Sequence, residues 1–188
     1  MLRFVLFFVL TSIIIACSKS LSEKEIQTYR DQGKEIAQAT QRTLGSNLTQ
    51  KMKKGGVKEA IPFCNTMAYP LTEKMAKKYK AEIKRTSHKI RNEKNKPSEE
   101  ELNIIKNYQK DLIDHQGLNP IVTIDKSGQP HFYAPIILEK KCLNCHGTIG
   151  KELSKQTDSL IKSLYPSDLA TGFKEGELRG IWSITFKK

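Results

Sequence analysis

From Ser22 onward, apolar side chains return every three or four positions. Ser22 and Glu25 form a capping box, and Ile26, Tyr29, Ile36, Ala37, Leu44 and Leu48 then mark one face of a long helix that ends near Gly55-Gly56. A second helix opens around Val57 and places Ala60, Ile61, Cys64, Met67, Ala68, Leu71 and Met75 on one face. Pro62 fits its first turns; Pro70 lies deeper and is expected to kink or divide it. Lys80 to Ile90 alternates loosely and reads as a strand, and Arg91 to Pro97 as a polar loop. Pro97-Ser98-Glu99-Glu100-Glu101 starts a helix whose apolar face is Leu102, Ile105, Tyr108 and Leu112. Ile121–Ile124 and His131–Ala134 read as two strands of a hairpin around Lys126-Ser127-Gly128. Lys151 to Leu164 reads as a short amphipathic helix and Gly180–Phe186 as a closing strand. With no internal repeat, the expected class is α+β: a small antiparallel sheet flanked by helices, with a long N-terminal helix.

The first residues follow a different pattern. Arg3 precedes an apolar stretch from Phe4 to Ile15, broken only by Thr11 and Ser12. A bilayer span needs roughly 20 apolar residues, so this stretch is read as a secretory signal and not an anchor helix. It ends in Ile14-Ile15-Ala16-Cys17, which resembles the bacterial lipobox, where the cysteine is lipidated and becomes the mature N-terminus. Residues 1–16 are therefore expected to be a lipoprotein signal peptide, 17–22 a lipidated tether, and 23–188 one domain. No second hydrophobic run exists, so a multispanning protein is excluded. The expected location is the periplasmic side of a bacterial membrane. Ser18 at the second mature position favours the outer membrane.

Charge then narrows the partners. The chain carries +12 at pH 7, and removing residues 1–16 takes away Arg3 alone, leaving +11. The lysines are spread along the chain, and an exported protein rarely meets a genome, so nucleic acid is set aside. A basic surface suits lipid headgroups or acidic partners. The expected partners are the membrane, through the anchor, and a separate redox or signalling protein.

The cysteines carry the chemistry. Cys142-Leu143-Asn144-Cys145-His146 is Cys-x-x-Cys-His, the attachment sequence for c-type haem. Two thiols three residues apart can each add to a porphyrin vinyl group, and the next imidazole then reaches the iron as proximal ligand. A thioredoxin-like site would need a helix opening at the first cysteine, whereas His146-Gly147-Thr148 follows the second. A zinc site would need a second ligand pair, and only Cys64 and three scattered histidines remain. One covalent haem c is expected. With Cys17 lipidated and Cys142 and Cys145 on the porphyrin, Cys64 is left alone, a liability for an exported protein unless it is buried, paired or metal-bound.

Small electron carriers place this motif early and take Met from downstream. Here nothing after His146 is Met, His or Cys. A strong sixth ligand other than Lys or Tyr must come from Cys64, Met52, Met67, Met75, His88, His115 or His131. Cys64 sits on an otherwise ordinary apolar helix face, so core packing and iron ligation both stay open. His115 reads as a helix C-cap cation, and His88 and His131 as surface residues. Arg85, Arg91 and Arg179 are candidates for the haem propionates, because guanidinium matches carboxylate in a bidentate way; pairing with Asp and Glu is the alternative.

Several segments together resemble a bacterial family of single-haem c-type proteins with a PAS-like sensor fold, first seen structurally in a cyanobacterial member. The matches are Ala60-Ile61 before Cys64; Arg85-Thr86-Ser87; Arg91-Asn92 with Asn95 and Pro97; Tyr133-Ala134-Pro135-Ile136 leading into the haem motif; Tyr165 to Gly172; and Gly176-Glu177-Leu178-Arg179-Gly180. The resemblance implies a PAS-like sheet, His146 as proximal ligand and Cys64 as distal ligand. It also implies sensing of redox state or a small gas, or relay of single electrons. Family members often precede a signalling output; no such segment follows the last strand here, so a signal is expected to pass to a separate partner. The alternative is a simple electron-transfer cytochrome docking to a membrane oxidoreductase. No distal acid–base pair is visible, and the chain is not expected to be an enzyme.

Overall fold

A computed structural model describes residues 20–187. Residues 1–16, Cys17 and the first residues of the tether lie outside them. Helix α1 spans Glu23–Gly55, and its capping box is formed as the sequence suggests: the Ser22 hydroxyl accepts from the Glu25 amide and Glu25 accepts from the Ser22 amide at 2.9 Å. Gly56, at φ 63°, turns the chain into α2, Val57–Tyr79. Pro62 and Pro70 both lie inside α2; of the two outcomes expected at Pro70, a kink or a division, the division does not occur. A proline removes one backbone hydrogen bond. The helix is held on both sides of Pro70 by burial of Ala60 and Ile61 before it and Thr72 and Met75 after it.

Strand β1 is Ala81–Thr86, shorter than Lys80 to Ile90. Lys80 is the left-handed cap of α2 at φ 51°, and beyond Thr86 the chain bends, with the Thr86 hydroxyl donating to the Asn95 carbonyl at 2.6 Å. Helix α3, Glu99–Ile113, has a second capping box between Ser98 and Glu101. Its buried residues are Glu101, Ile104, Ile105 and Tyr108; of the expected face Ile105 and Tyr108 are buried and Leu102 and Leu112 half-buried. Strands β2, Ile121–Ile124, and β3, Pro130–Ile137, form the hairpin, turned by the Asp125 carboxylate accepting from the Ser127 and Gln129 amides. A four-residue helix α4, Leu143–His146, follows, then α5, Lys155–Leu164, and strand β4, Leu178–Phe186. Residues 151–154 precede α5 and are not part of it; Ser154 is its N-cap, accepting from the Thr157 amide.

Among the described residues the strands form one antiparallel sheet in the order β1-β4-β3-β2. The α+β expectation holds, long first helix included. Strand alternation sends Ala81, Phe132, Ile184 and Phe186 to one face, where Ile36, Ala37 and Leu44 of α1 cover them. Gly33 permits this approach, since any Cβ there would enter the Phe132 ring. The opposite face buries Tyr133 and Ile181 under Ile104, Ile105 and Tyr108 of α3. Two smaller clusters, Ile61-Leu153-Ile161-Tyr165 and Leu138-Ala170-Phe173, lie outside these layers. Among the described residues no helix is long and apolar enough to cross a membrane.

Candidate functional site

The two small clusters hold the Cys-x-x-Cys-His segment between them. Cys142 packs on Leu138, Ala170 and Phe173, and Cys145 on Ile61, Leu153, Ile161 and Tyr165. Both thiols are free and half-buried. Burial pushes the Cys145 thiol up from its usual range, with Arg91 pulling it back and Cys64 and Cys142 adding to the rise.

His146 closes α4. Its Nδ1 lies 2.8 Å from the Ala170 carbonyl oxygen. A carbonyl only accepts, so Nδ1 carries the proton and Nε2 keeps its lone pair. Burial, then the nearby Arg179 and Arg91, hold the imidazole well below its usual pKa and therefore neutral. The loop that supplies Ala170 is sewn to α4 by backbone bonds: the Gly172 amide donates to the Gly147 carbonyl at 2.9 Å, and the Phe173 amide to the His146 carbonyl at 2.9 Å. Gly172 makes the turn at φ 75°. Gly147 is also needed where it stands, because a Cβ would meet the Leu143 carbonyl at 2.7 Å.

Arg91 fastens this assembly. Its guanidinium pairs with the Asp168 carboxylate through two bonds of 3.1 Å and donates to the Cys145 carbonyl at 2.7 Å and the Ala170 carbonyl at 3.2 Å. Arg179 donates to the Lys89 carbonyl at 3.0 Å and stacks over Phe173. Burial lowers its pKa to about 10, neighbouring Arg91 adds to that, and Asp168 opposes it. Arg85 lies over the Trp182 ring on the face of the sheet that α1 and α2 cover. Its pKa is lowered by burial, with Cys64, Tyr69 and Tyr165 opposing.

Cys64 reaches the same region from α2. One turn before it, Ile61 belongs to the Cys145 cluster, and Asn65 beside it donates to the Leu164 carbonyl at the end of α5 at 3.3 Å. Its half-buried thiol is pushed up by burial and drawn back by Arg85 and Arg91. The fold thus brings Cys64, Cys142, Cys145, His146, Arg85, Arg91 and Arg179 into one neighbourhood.

The other sixth-ligand candidates are placed elsewhere. His131 lies on the α3 side of the sheet, between Asp125 at 3.3 Å and Thr185 at 3.0 Å. His115 is exposed, Met75 is buried against Thr43, and Met67 is exposed. His88 sits at the edge of the site, its ring against Phe173 and its Nδ1 buried with no hydrogen-bond partner among the described residues. Among the described residues no group of three or more His, Cys, Asp or Glu converges to hold a bare metal ion, as a zinc site would require. Asp168, Ala170 and Phe173 are the site residues that sequence reasoning did not single out. Ala170 acts through its carbonyl, which no residue type announces; Gly172 two positions later was the available hint.

Residues 19–187 match the Tll0287-like family, described as Tll0287. The chain belongs to that family. Among solved structures it is similar to "Crystal structure of the cyanobacterial heme-protein Tll0287", at 20% identity and a TM-score of 0.59, over 89% of this chain and 98% of that one. At that identity the likeness concerns the fold. No curated protein matches the chain.

Proposed function

We propose that this member of the Tll0287-like family is an exported, lipid-anchored protein carrying one haem c. Cys142 and Cys145 would form the thioethers, with His146 as proximal and Cys64 as distal ligand, on a PAS-like scaffold. The observation that carries this reading is the His146–Ala170 bond within Cys-x-x-Cys-His. It fixes the tautomer a ligating histidine needs, in the way metal-bound imidazoles are oriented by a second partner. The remaining residues fit the same group. The two thiols stand on one short turn, and Cys64 approaches from another helix. Arg85 and Arg179 are half-buried cations to which no carboxylate is hydrogen-bonded among the described residues, suited to the propionates; Arg91 is engaged with Asp168 and two carbonyls and serves instead to hold the ligand loop. The relative described as a cyanobacterial heme-protein supports the cofactor class.

The group would supply one-electron redox chemistry and, with a displaceable distal ligand, a site for a small gas. The chain's part is to orient His146, exclude water from its buried face, and set the charge around Cys64. Burial raises the Cys64 thiol pKa, and Arg85 and Arg91 oppose that rise. A distal ligand that leaves on reduction makes a redox or gas sensor; one that stays makes an electron relay docking to a membrane oxidoreductase. Optical and EPR spectra of the purified ferric and ferrous protein test this. Low-spin thiolate features in the ferric state are the expected result, and purified protein without covalent haem would overturn it.

A further inference from the structure

The Cys145 cluster reaches the surface where three segments meet: the turn between α1 and α2, the 149–154 turn, and α5. Val57, Cys145, Leu160 and Leu164 all pack on Ile61, Leu153, Ile161 and Tyr165, so these segments share one small core. Around it stand Lys53 and Lys54 from the last turn of α1, Lys58 from the first turn of α2, Lys151, and Lys155 and Lys162 on α5, every one exposed. The acids on these segments are Glu59, Glu152 and Asp158. Glu152 accepts from the Thr148 amide at 3.1 Å, and Asp158, buried, accepts from Lys162 at 2.9 Å. Six lysines against these three acids leave the face a net charge of +3, with Lys162 already paired to Asp158. At its centre Ile149, bridged to Leu153, is 41% exposed. Cationic rim and apolar centre together are the pattern of an interface whose charges steer encounter and whose core makes contact.

We propose that this face is the docking surface for an acidic redox protein, with Lys53, Lys54, Lys58, Lys151 and Lys155 as its steering charges. The inference rests on the haem reading above, because Cys145 lies directly beneath the face. A soluble acidic partner fits better than the bilayer. Residue 20, where the tether enters the domain, adjoins the start of α1, and Lys53 stands about 45 Å along that helix from Glu23 at 1.5 Å per residue. A domain held at its N-terminal end presents this face away from the membrane that holds it.

The test separates local charge from net charge. Lys74, Lys77 and Lys78 lie on α2 about 24–30 Å from Lys58, roughly three Debye lengths at physiological salt. The Lys53→Glu/Lys54→Glu/Lys58→Glu variant and the Lys74→Glu/Lys77→Glu/Lys78→Glu variant change the net charge equally. Ferricyanide is the probe for the reduced full-length holoprotein; one electron passes from each protein to each ferricyanide, giving oxidised protein and ferrocyanide. At about 0.15 M ionic strength, where the Debye length is about 8 Å, the first variant should slow this step about fivefold and the second less than twofold, and 1 M salt should erase the difference. Equal slowing by both variants, or no dependence on salt, would overturn the proposal. Lys151→Glu/Lys155→Glu repeats the test on the 149–154 turn and α5 should the first variant fold poorly. A pyridine haemochrome assay on the same sample reports separately on the haem reading. A second readout needs no electron transfer: titration of labelled protein with a deca-glutamate peptide should shift the amides of Lys53–Lys58 and Lys151–Lys155 and leave Lys74–Lys78 unmoved. Shifts spread evenly over all the lysines overturn the proposal, as does tighter binding of these same residues to phosphatidylglycerol vesicles than to the peptide.

Discussion

The Ala170 carbonyl accepts from His146 Nδ1 at 2.8 Å and from the Arg91 guanidinium at 3.2 Å, so one backbone oxygen sets both the tautomer of the imidazole and the position of the cation beside it. Arg91 is in turn held by Asp168, whose side chain is 1% exposed. Removing one partner of such a pair leaves a buried charge uncompensated. Asp168→Ala should therefore lower the unfolding free energy by about 3–5 kcal/mol, while Asp168→Asn, which keeps an acceptor, should cost less. Urea unfolding of both variants measures this; equal and small losses would show that Arg91 is satisfied by the carbonyls alone.

Covalent attachment has a direct chemical test. Acid–acetone extraction of the purified protein should leave the porphyrin on the chain, and Cys142→Ala with Cys145→Ala should abolish holoprotein. Haem that extracts freely from the wild type would contradict thioether attachment.

Much of the fold was legible because its signals are local. Ser22 with Glu25 and Ser98 with Glu101 announce two helix starts, and both capping boxes form. Where long-range packing decides, local signals fall short. Pro70 stays inside a continuous α2 because burial on either side outweighs the lost hydrogen bond. Lys80 belongs to a left-handed cap and not to a strand, a choice made by the way α2 meets β1. At the candidate site, Cys142, Cys145 and His146 stand out by spacing, while elimination left Cys64 open between core and ligand and only the family resemblance singled it out. The Arg91–Asp168 pair joins residues 77 positions apart, and no local pattern points from one to the other.

The proposed anchor, Cys17, lies outside the described residues. Cys17→Ser should release the protein from membranes, since acyl chains contribute about 0.8 kcal/mol per buried methylene. Membrane fractionation of the variant reads the outcome. Retention equal to wild type would mean that another feature holds the protein there.

A pH dependence follows from Glu101 on α3. Burial alone would raise its carboxyl pKa, but hydrogen bonds from Lys84, Ser98 and Ser183 outweigh that and lower it. Lys84 Nζ lies 2.7 Å away and the Ser98 amide also 2.7 Å. The unfolded chain titrates this group near pH 4.3. A folded pKa depressed below that value stabilises the protein fully above it, and the contribution is lost as pH falls through the folded pKa. Urea unfolding of wild type should thus weaken more between about pH 5 and 3 than that of Glu101→Gln, which cannot titrate. Parallel curves for the two proteins would remove Glu101 from the acid transition.

Cys64 is where the two readings of the sequence diverge most. If its thiol only packs between α2 and the Cys145 cluster, Cys64→Ser should cost about 1–2 kcal/mol of stability and leave the optical spectrum unchanged. If it is the distal ligand, the same change should convert the ferric iron wholly or partly to high spin. It should also raise the reduction potential, because a negative donor has been removed, and let carbon monoxide bind the ferrous protein readily. Cys64→Met sharpens the comparison: a neutral thioether can keep six-coordination while the potential still moves upward. Arg85 and Arg91 bear on the same question, since both favour the Cys64 thiolate. Arg85→Gln should therefore shift the ferric spectrum in the direction of the serine variant without touching the iron. Unchanged ferric spectra in all three variants would return Cys64 to the core and leave His88, whose buried Nδ1 at the edge of the site has no partner among the described residues, as the next residue to replace.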